Sequence, residues 1–223
     1  MIYITKHKPV ETPKMDGYKD IYIGELCDYL DEDNINYLTK EICELTSIYR
    51  INQFDDEIKG QVQYRRFFLY DNDVLTFDKA KELLNEYDMI ITERYIVGNG
   101  IYLNLRGECN EADKLKLDRY VEELEKREPG IKEYLNQTYF SPRQMFICKK
   151  DLYKKYCDWI FPLILPIIDI VGQSDTRFSG YVIERLLNYF IQKNNLKTIE
   201  LPYNTTMERI DDILNREGEN NAI

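Results

Sequence analysis

Histidine and tryptophan are nearly missing from this 223-residue chain: His7 and Trp159 are the only ones. Cysteine is sparse and unpatterned. Cys27, Cys43, Cys109, Cys148 and Cys157 are scattered, odd in number and contain no C-x-x-C pair, so neither a zinc site nor a disulfide framework is expected. With no secretory signal at the N-terminus, they read as reduced core thiols in a cytosol. Long apolar runs are also lacking. The only membrane candidate, Trp159 to Ile168, is broken by Pro162 and Pro166 and is about half the length that spans a bilayer. It reads as a buried or interfacial helix end, and Trp159 as core. Basic residues are outnumbered: the net charge is −10 and the pI about 4.8, which suits a nucleic-acid partner poorly.

The residues present describe a soluble globular protein, 43% hydrophobic and 31% charged. The length predicts one domain over 1–216, with a polar tail over 217–223. Nineteen tyrosines suit half-buried surfaces and sugar-stacking sites, or reflect codon bias alone.

Strands are expected at Ile2–Thr5, Ile21–Gly24, Lys59–Gln63, Met89–Thr92 and Gln144–Cys148. His7-Lys8-Pro9 ends the first, as in the first crossover of a nucleotide-binding α/β domain. Helical spacing is found over Asn36–Ile51, with Leu38, Ile42, Leu45 and Tyr49 inward and Glu41 and Glu44 off the stripe. Asp78 is placed to cap a helix carrying Ala80, Leu83, Leu84 and Tyr87. Leu117, Tyr120, Val121 and Leu124 mark another helix, and Leu152–Ile160 a further one. Ser179 is placed to cap the last, whose core stripe is Ile183, Leu186, Leu187 and Phe190. The stretch from Glu93 to Asn110, with Gly98, Gly100 and Gly107, has no period and reads as a long functional loop. The sum is an α/β fold with a mixed, mostly parallel central sheet flanked by helices.

The most informative string is Tyr64-Arg65-Arg66-Phe67-Phe68. Two arginines leaving a buried strand inside an aromatic bracket are costly in an acidic chain. Guanidiniums match phosphate oxygens in a bidentate fork, so a nucleoside diphosphate is the candidate ligand; a structural ion pair is the alternative. Asp71-Asn72-Asp73 is a literal Asp-x-Asp that could share Mn²⁺ or Mg²⁺, and equally a strong turn sequence.

"GQVQYRRFF" resembles the HYRRYF signature of a bacterial family, carried largely as a domain of unknown function, whose members sit among capsule and exopolysaccharide glycosyltransferases. The resemblance continues in order through "IYITKHKP", "YKDIYIGEL", "DNINYLTKEICELTSIY", "QMFICKKDLYKKYCDWIF" and "GYVIERLLNYF". It implies a GT-A fold as a single domain, with a nucleotide-binding half over 1–92 and an acceptor half over 93–216. It implies that Arg65 and Arg66 stand where many such enzymes bind a metal, so that no metal is needed. His7 falls in the donor-binding loop, and Thr5, Lys8, Asn34, Glu44, Tyr64 and Arg185 join Arg65 and Arg66 as donor-binding candidates. The family's histidine before the arginines is Gln63 here, which keeps a donor and an acceptor but cannot titrate.

Glu184, off the apolar stripe in the first turn expected for the last helix, inherits the role of general base. A glutamate that merely suits the helix dipole is the plainer reading. Glu44 and Asp175 are next in line. The expected activity is a cytoplasmic glycosyltransferase, at most peripheral to the membrane. It would move a hexose, of galactose type, from a UDP-sugar to a surface glycan, lipid-linked acceptors included. The alternatives are a non-catalytic nucleotide- or sugar-binding module and a phage enzyme acting on modified DNA.

Overall fold

The protein was analysed as a computed structural model that describes residues 1–28 and 34–204. The expected tail over 217–223 lies outside the described residues. In chain order the elements begin with β1 (Ile2–Lys6), β2 (Tyr18–Tyr22), α1 (Thr39–Ile42), α2 (Leu45–Asn52), β3 (Ile58–Gln63), β4 (Leu69–Tyr70) and β5 (Asp73–Val74). Next come α3 (Phe77–Leu83), β6 (Met89–Thr92), β7 (Tyr95–Ile96), α4 (Ile101–Glu108), α5 (Glu111–Arg127) and α6 (Ile131–Tyr134). The chain continues through β8 (Tyr139–Phe140), β9 (Phe146–Lys149), α7 (Lys150–Val171), α8 (Phe178–Lys193) and β10 (Thr198–Leu201).

The central sheet has the order β10-β6-β9-β3-β1-β2. Only β9 runs against the others, pairing antiparallel with β3 and β6. This is the mixed, mostly parallel α/β sheet the sequence predicts. Period-2 alternation sorts its residues to two faces. Tyr3, Ile21, Met89, Ile91, Phe146 and Cys148 join a large core with α2, α5, α7 and α8. Ile2, Ile4, Val62, Ile90 and Ile147 face a smaller layer made by α3 and the β4–β5 hairpin.

Several expectations shift. The second strand lies at Tyr18–Tyr22, with Ile21 as its one fully buried residue, and no helix lies in the connection between β1 and β2. The helix expected over Asn36–Ile51 is broken at Cys43, which holds φ 50° and ψ −125°. Glu41, expected off the apolar stripe, is buried at 2% exposure. The Glu93–Asn110 stretch is no long loop. Gly100, at φ 90°, opens α4, which buries Ile101 and Leu105. Thr76 rather than Asp78 caps α3. α7 runs through both prolines; the residues whose carbonyls would otherwise bond their missing N–H groups, Asp158 and Pro162, are exposed. Ser179 does not cap α8; the cap residue is Arg177, and Glu184 lies in the second turn rather than the first. The edge strand β10 carries no strong signal in the sequence. Among the described residues no helix is long and apolar enough to cross a membrane.

Candidate functional site

The chain leaves β1 toward β2 on one side and pairs with β3 on the other, so the strand order reverses beside β1. Crevices outside the carboxyl ends of parallel strands at such a reversal are where α/β folds bind ligands. The end of β1 leads into His7, and the end of β3 leads into Tyr64-Arg65-Arg66. β9 is antiparallel, so the segment entering it, Arg143-Gln144, arrives at the same end of the sheet. α2 precedes β3 and α8 precedes β10, so both helices start at this end too. Glu44 caps the start of α2, Arg177 caps the start of α8, and Glu184 lies in its second turn.

The arginine loop is a tight turn. Gln63 and Arg66 exchange backbone hydrogen bonds at 3.2 and 2.9 Å, which puts Tyr64 and Arg65 at its tip. Gln63 uses both ends of its amide: its oxygen accepts from an Arg66 Nη, and its Nε2 donates to the Arg143 carbonyl at 3.0 Å. It thereby ties two arginines together without an ionisable ring. Asn204, which follows β10, braces the same loop. Asn204 Oδ1 accepts the Phe67 N–H at 2.5 Å, the Asn204 N–H donates to the Phe67 carbonyl at 3.2 Å, and Asn204 Nδ2 reaches the Arg65 carbonyl at 3.3 Å.

Among the described residues, Arg65, Arg66, Arg143 and Arg177 make no ion pair, although the chain carries many elsewhere. Among the described residues the buried Nε of Arg66 has no hydrogen-bond partner. Burial, followed by the neighbouring charges of Arg143 and Arg65, weighs against the Arg66 cation. A guanidinium does not lose its proton in proteins, so this crowding favours an incoming anion.

Two carboxylates share the site. Glu184 is fixed at both oxygens: one accepts the Arg143 backbone N–H, and the other accepts from Arg185 Nη1 at 3.2 Å. Burial raises its pKa, against the pull of Arg185 and Arg143 and with a small push from Glu44. Burial likewise raises the pKa of Glu44, opposed by Arg66, Arg65 and Arg143. Cys43 sits at the kink beside Glu44, its thiol pushed up to about 11 chiefly by burial. His7 meets the Tyr64 ring edge-on at 5.2 Å. Partial desolvation and the charges of Lys8, Arg65 and Arg177 lower its pKa and favour the neutral imidazole.

Other candidates lie elsewhere. The Thr5 hydroxyl is buried at 2% exposure, sharing a bond of 2.9 Å with Ser47 and donating to Gln61 at 3.1 Å. Lys8 is exposed beside His7. Asn34 Oδ1 accepts the Asn36 N–H at 3.0 Å. Arg185 is 3% exposed, with its guanidinium carbon 4.2 Å from the Phe140 ring centre and an Nη 2.9 Å from Asn104, so it backs Glu184 from inside the fold. Asp175 is exposed in the loop before α8. Asp71 and Asn72, at φ 52° and 72°, form the turn of the β4–β5 hairpin, and Asp73 opens β5. Among the described residues no group of three or more His, Cys, Asp or Glu could hold a metal.

Sequence reasoning missed Arg143 and Arg177. Both hold positive φ, 80° and 58°, a backbone property that no residue spacing reveals.

The sequence profile of a family described as "Domain of unknown function (DUF4422)" matches residues 1–195. The chain belongs to that family. No curated protein matches it. Among solved structures it is similar to the apo structure of the WbbM bifunctional glycosyltransferase, with a TM-score of 0.77 at 20% identity. The match covers 92% of this chain and 45% of the other, so this DUF4422 chain spans less than half the length of its structural relative. A likeness at that identity shows a shared fold.

Proposed function

We propose that this chain transfers a hexose from a nucleoside diphosphate sugar, a UDP-sugar first, to a glycan hydroxyl. The observation that carries the reading is the convergence of Arg65, Arg66 and Arg143, none in an ion pair among the described residues, with a desolvated and fixed Glu184 at the carboxyl end of the sheet. The arginines would neutralise the diphosphate as the bond from the anomeric carbon to the phosphate oxygen breaks and the electron pair leaves with the nucleotide. The acceptor oxygen would form the new bond to that carbon, and Glu184 would take its proton. A carboxyl whose pKa is raised from its ordinary value is a better match to proton abstraction near neutral pH. His7 and Tyr64, packed edge to face at the rim, are placed to border the base or ribose, and Glu44 to accept a donor or acceptor hydroxyl. The glycosyltransferase fold of WbbM supports the reaction class. Membership of surface-glycan synthesis, and a place at the inner face of a membrane, follow from the sequence resemblance.

The test is a thermal-shift panel of nucleoside diphosphates and their sugars, followed by turnover on the donor that binds. A ligand of the native state raises the melting temperature by mass action. The expected result is a shift with one nucleoside diphosphate and a larger one with its sugar. No shift with any of them would overturn the reading. Binding without turnover on any glycan would leave a non-catalytic binding module.

A further inference from the structure

Arg177 is held with unusual care for an exposed side chain. It precedes α8 with φ 58°, a left-handed setting disfavoured for any residue with a Cβ. Two buried carboxylates impose the conformation of the loop that carries it. Glu41 accepts from the Ser174 N–H and hydroxyl, both at 3.0 Å, and from the Ser179 hydroxyl at 2.5 Å. Asp113 accepts from the Thr176 N–H and hydroxyl at 2.8 and 2.7 Å. Such strain, over-determined by its surroundings, is characteristic of functional positions. The guanidinium so placed makes no ion pair among the described residues; its charge is felt at Cys43 and, together with that of Arg65, at His7.

α8 follows directly. Tyr181 and Glu184 are three apart on the helix and share one face, so that stripe presents an aromatic ring and a carboxylate. Arg177 caps the start of the helix just outside it, and its charge and that of Glu184 are both felt at Cys43. Tyr181 is 39% exposed, which leaves its ring open to a ligand. A rise of 1.5 Å per residue sets Arg177 and Glu184 about 10 Å apart along the axis. We propose that this stripe is the acceptor subsite, and that the acceptor is anionic. Its sugar ring lies on Tyr181, its attacking hydroxyl meets Glu184, and its negative group pairs with Arg177. The inference rests on the glycosyltransferase reading. The donor diphosphate has its own arginines, which leaves Arg177 to a second anion. That anion can be a diphosphate linkage to a lipid or a carboxylate on a sugar.

The test is titration calorimetry at saturating UDP, and again with UDP omitted. Three short alkyl acceptors of one sugar are compared: the neutral glycoside, its uronic acid, and the alkyl diphosphate ester. Wild type should bind one anionic acceptor about ten-fold or more tightly than the neutral one, the size of one charged hydrogen bond. Which anion is preferred identifies the source of the charge. Arg177→Gly, which the left-handed backbone tolerates, should erase the preference while keeping UDP affinity; Arg177→Lys should retain part of it. Tyr181→Ala should weaken all three acceptors. Equal binding of neutral and anionic acceptors, no binding of any of them, or a loss of UDP affinity in Arg177→Gly would each overturn the proposal. Failure of UDP itself to bind would count against the donor site, and the arm without UDP would still read the acceptor stripe.

Discussion

Arg143 donates its backbone N–H to the Glu184 carboxylate, and it can do so because its φ is held at 80°. One residue thus contributes twice: its main chain aims the proposed base, and its side chain adds to the arginine cluster. The two contributions can be separated. Arg143→Gly keeps the N–H and suits the positive φ, but removes the guanidinium. Nucleoside diphosphate affinity should fall about ten-fold, as for one charged hydrogen bond, with Glu184 still in place. Calorimetry of UDP and the acid limb of the pH–rate profile check the two halves. A profile shifted along with affinity would mean that the guanidinium also tunes Glu184.

Glu184→Gln keeps the volume of the side chain but cannot take a proton. Turnover should drop about 10²–10⁴-fold with donor affinity little changed. Burial raises the Glu184 pKa, so in the unsubstituted protein the acid limb of the proposed activity should lie above the ordinary glutamate value of 4.5. Near-normal turnover of the glutamine variant would make Glu184 structural and return attention to Glu44.

Arg65→Ala and Arg66→Ala should each weaken nucleoside diphosphate binding, the important one by about ten-fold or more. Arg66 is expected to matter most, because its buried Nε has no partner in the described structure. Unchanged affinity in both variants, with melting temperatures intact, would remove the diphosphate from this loop.

Fixed guanidiniums can replace a divalent cation at a leaving diphosphate. Activity is therefore expected to survive a strong chelator. The double change Asp71→Asn with Asp73→Asn should be mild, since asparagine serves the hairpin turn as well as aspartate. Loss of activity on chelation and its return with Mn²⁺ or Mg²⁺ would assign a metal after all.

The pKa of Glu44 is raised by burial, despite Arg66, Arg65 and Arg143 nearby. A carboxyl whose folded pKa lies above its unfolded value supports the fold fully below the unfolded value, and that support is lost as pH rises through the folded one. Glu44→Gln should therefore raise the melting temperature of the ligand-free protein at neutral pH, with the gain vanishing below about pH 4, near the unfolded glutamate value. A gain that persisted at pH 3, or a loss at pH 7, would contradict this.

The sequence resolves the strands and the core stripes best, because burial imposes a period that residue types can display. Met89–Thr92 and the stripe Ile183, Leu186, Leu187 and Phe190 lie where the pattern puts them. It fails where a helix is preserved by exceptions. α4 hides behind Gly98 and Gly100 because the glycines open it rather than break it. α7 continues through two prolines, with the residues four positions before them, Asp158 and Pro162, exposed. In the site, Arg65 and Arg66 are legible from their aromatic bracket, whereas His7, Glu44 and Glu184 come into view through the family resemblance; all five meet at one end of the sheet. Arg143 and Arg177 were not legible, since their placement depends on left-handed backbone and on partners far away in sequence. The role of Glu41 was equally hidden: an off-stripe glutamate looks solvated until the loop it anchors is seen.

The Asn204 brace has a consequence for the order in which the site forms. The arginine loop is made early in synthesis, yet its last ties come from a residue 139 positions after Arg65. Until that stretch has left the ribosome and β10 has docked on β6, the loop has no partner for the Phe67 N–H. The same holds for a polypeptide ended at residue 195, the limit of the family match. It would retain every arginine and glutamate named above, yet expose β6 as a raw sheet edge open to pairing with other chains. Such a fragment is expected to bind nucleotide weakly and to aggregate, although its chemical groups are all present.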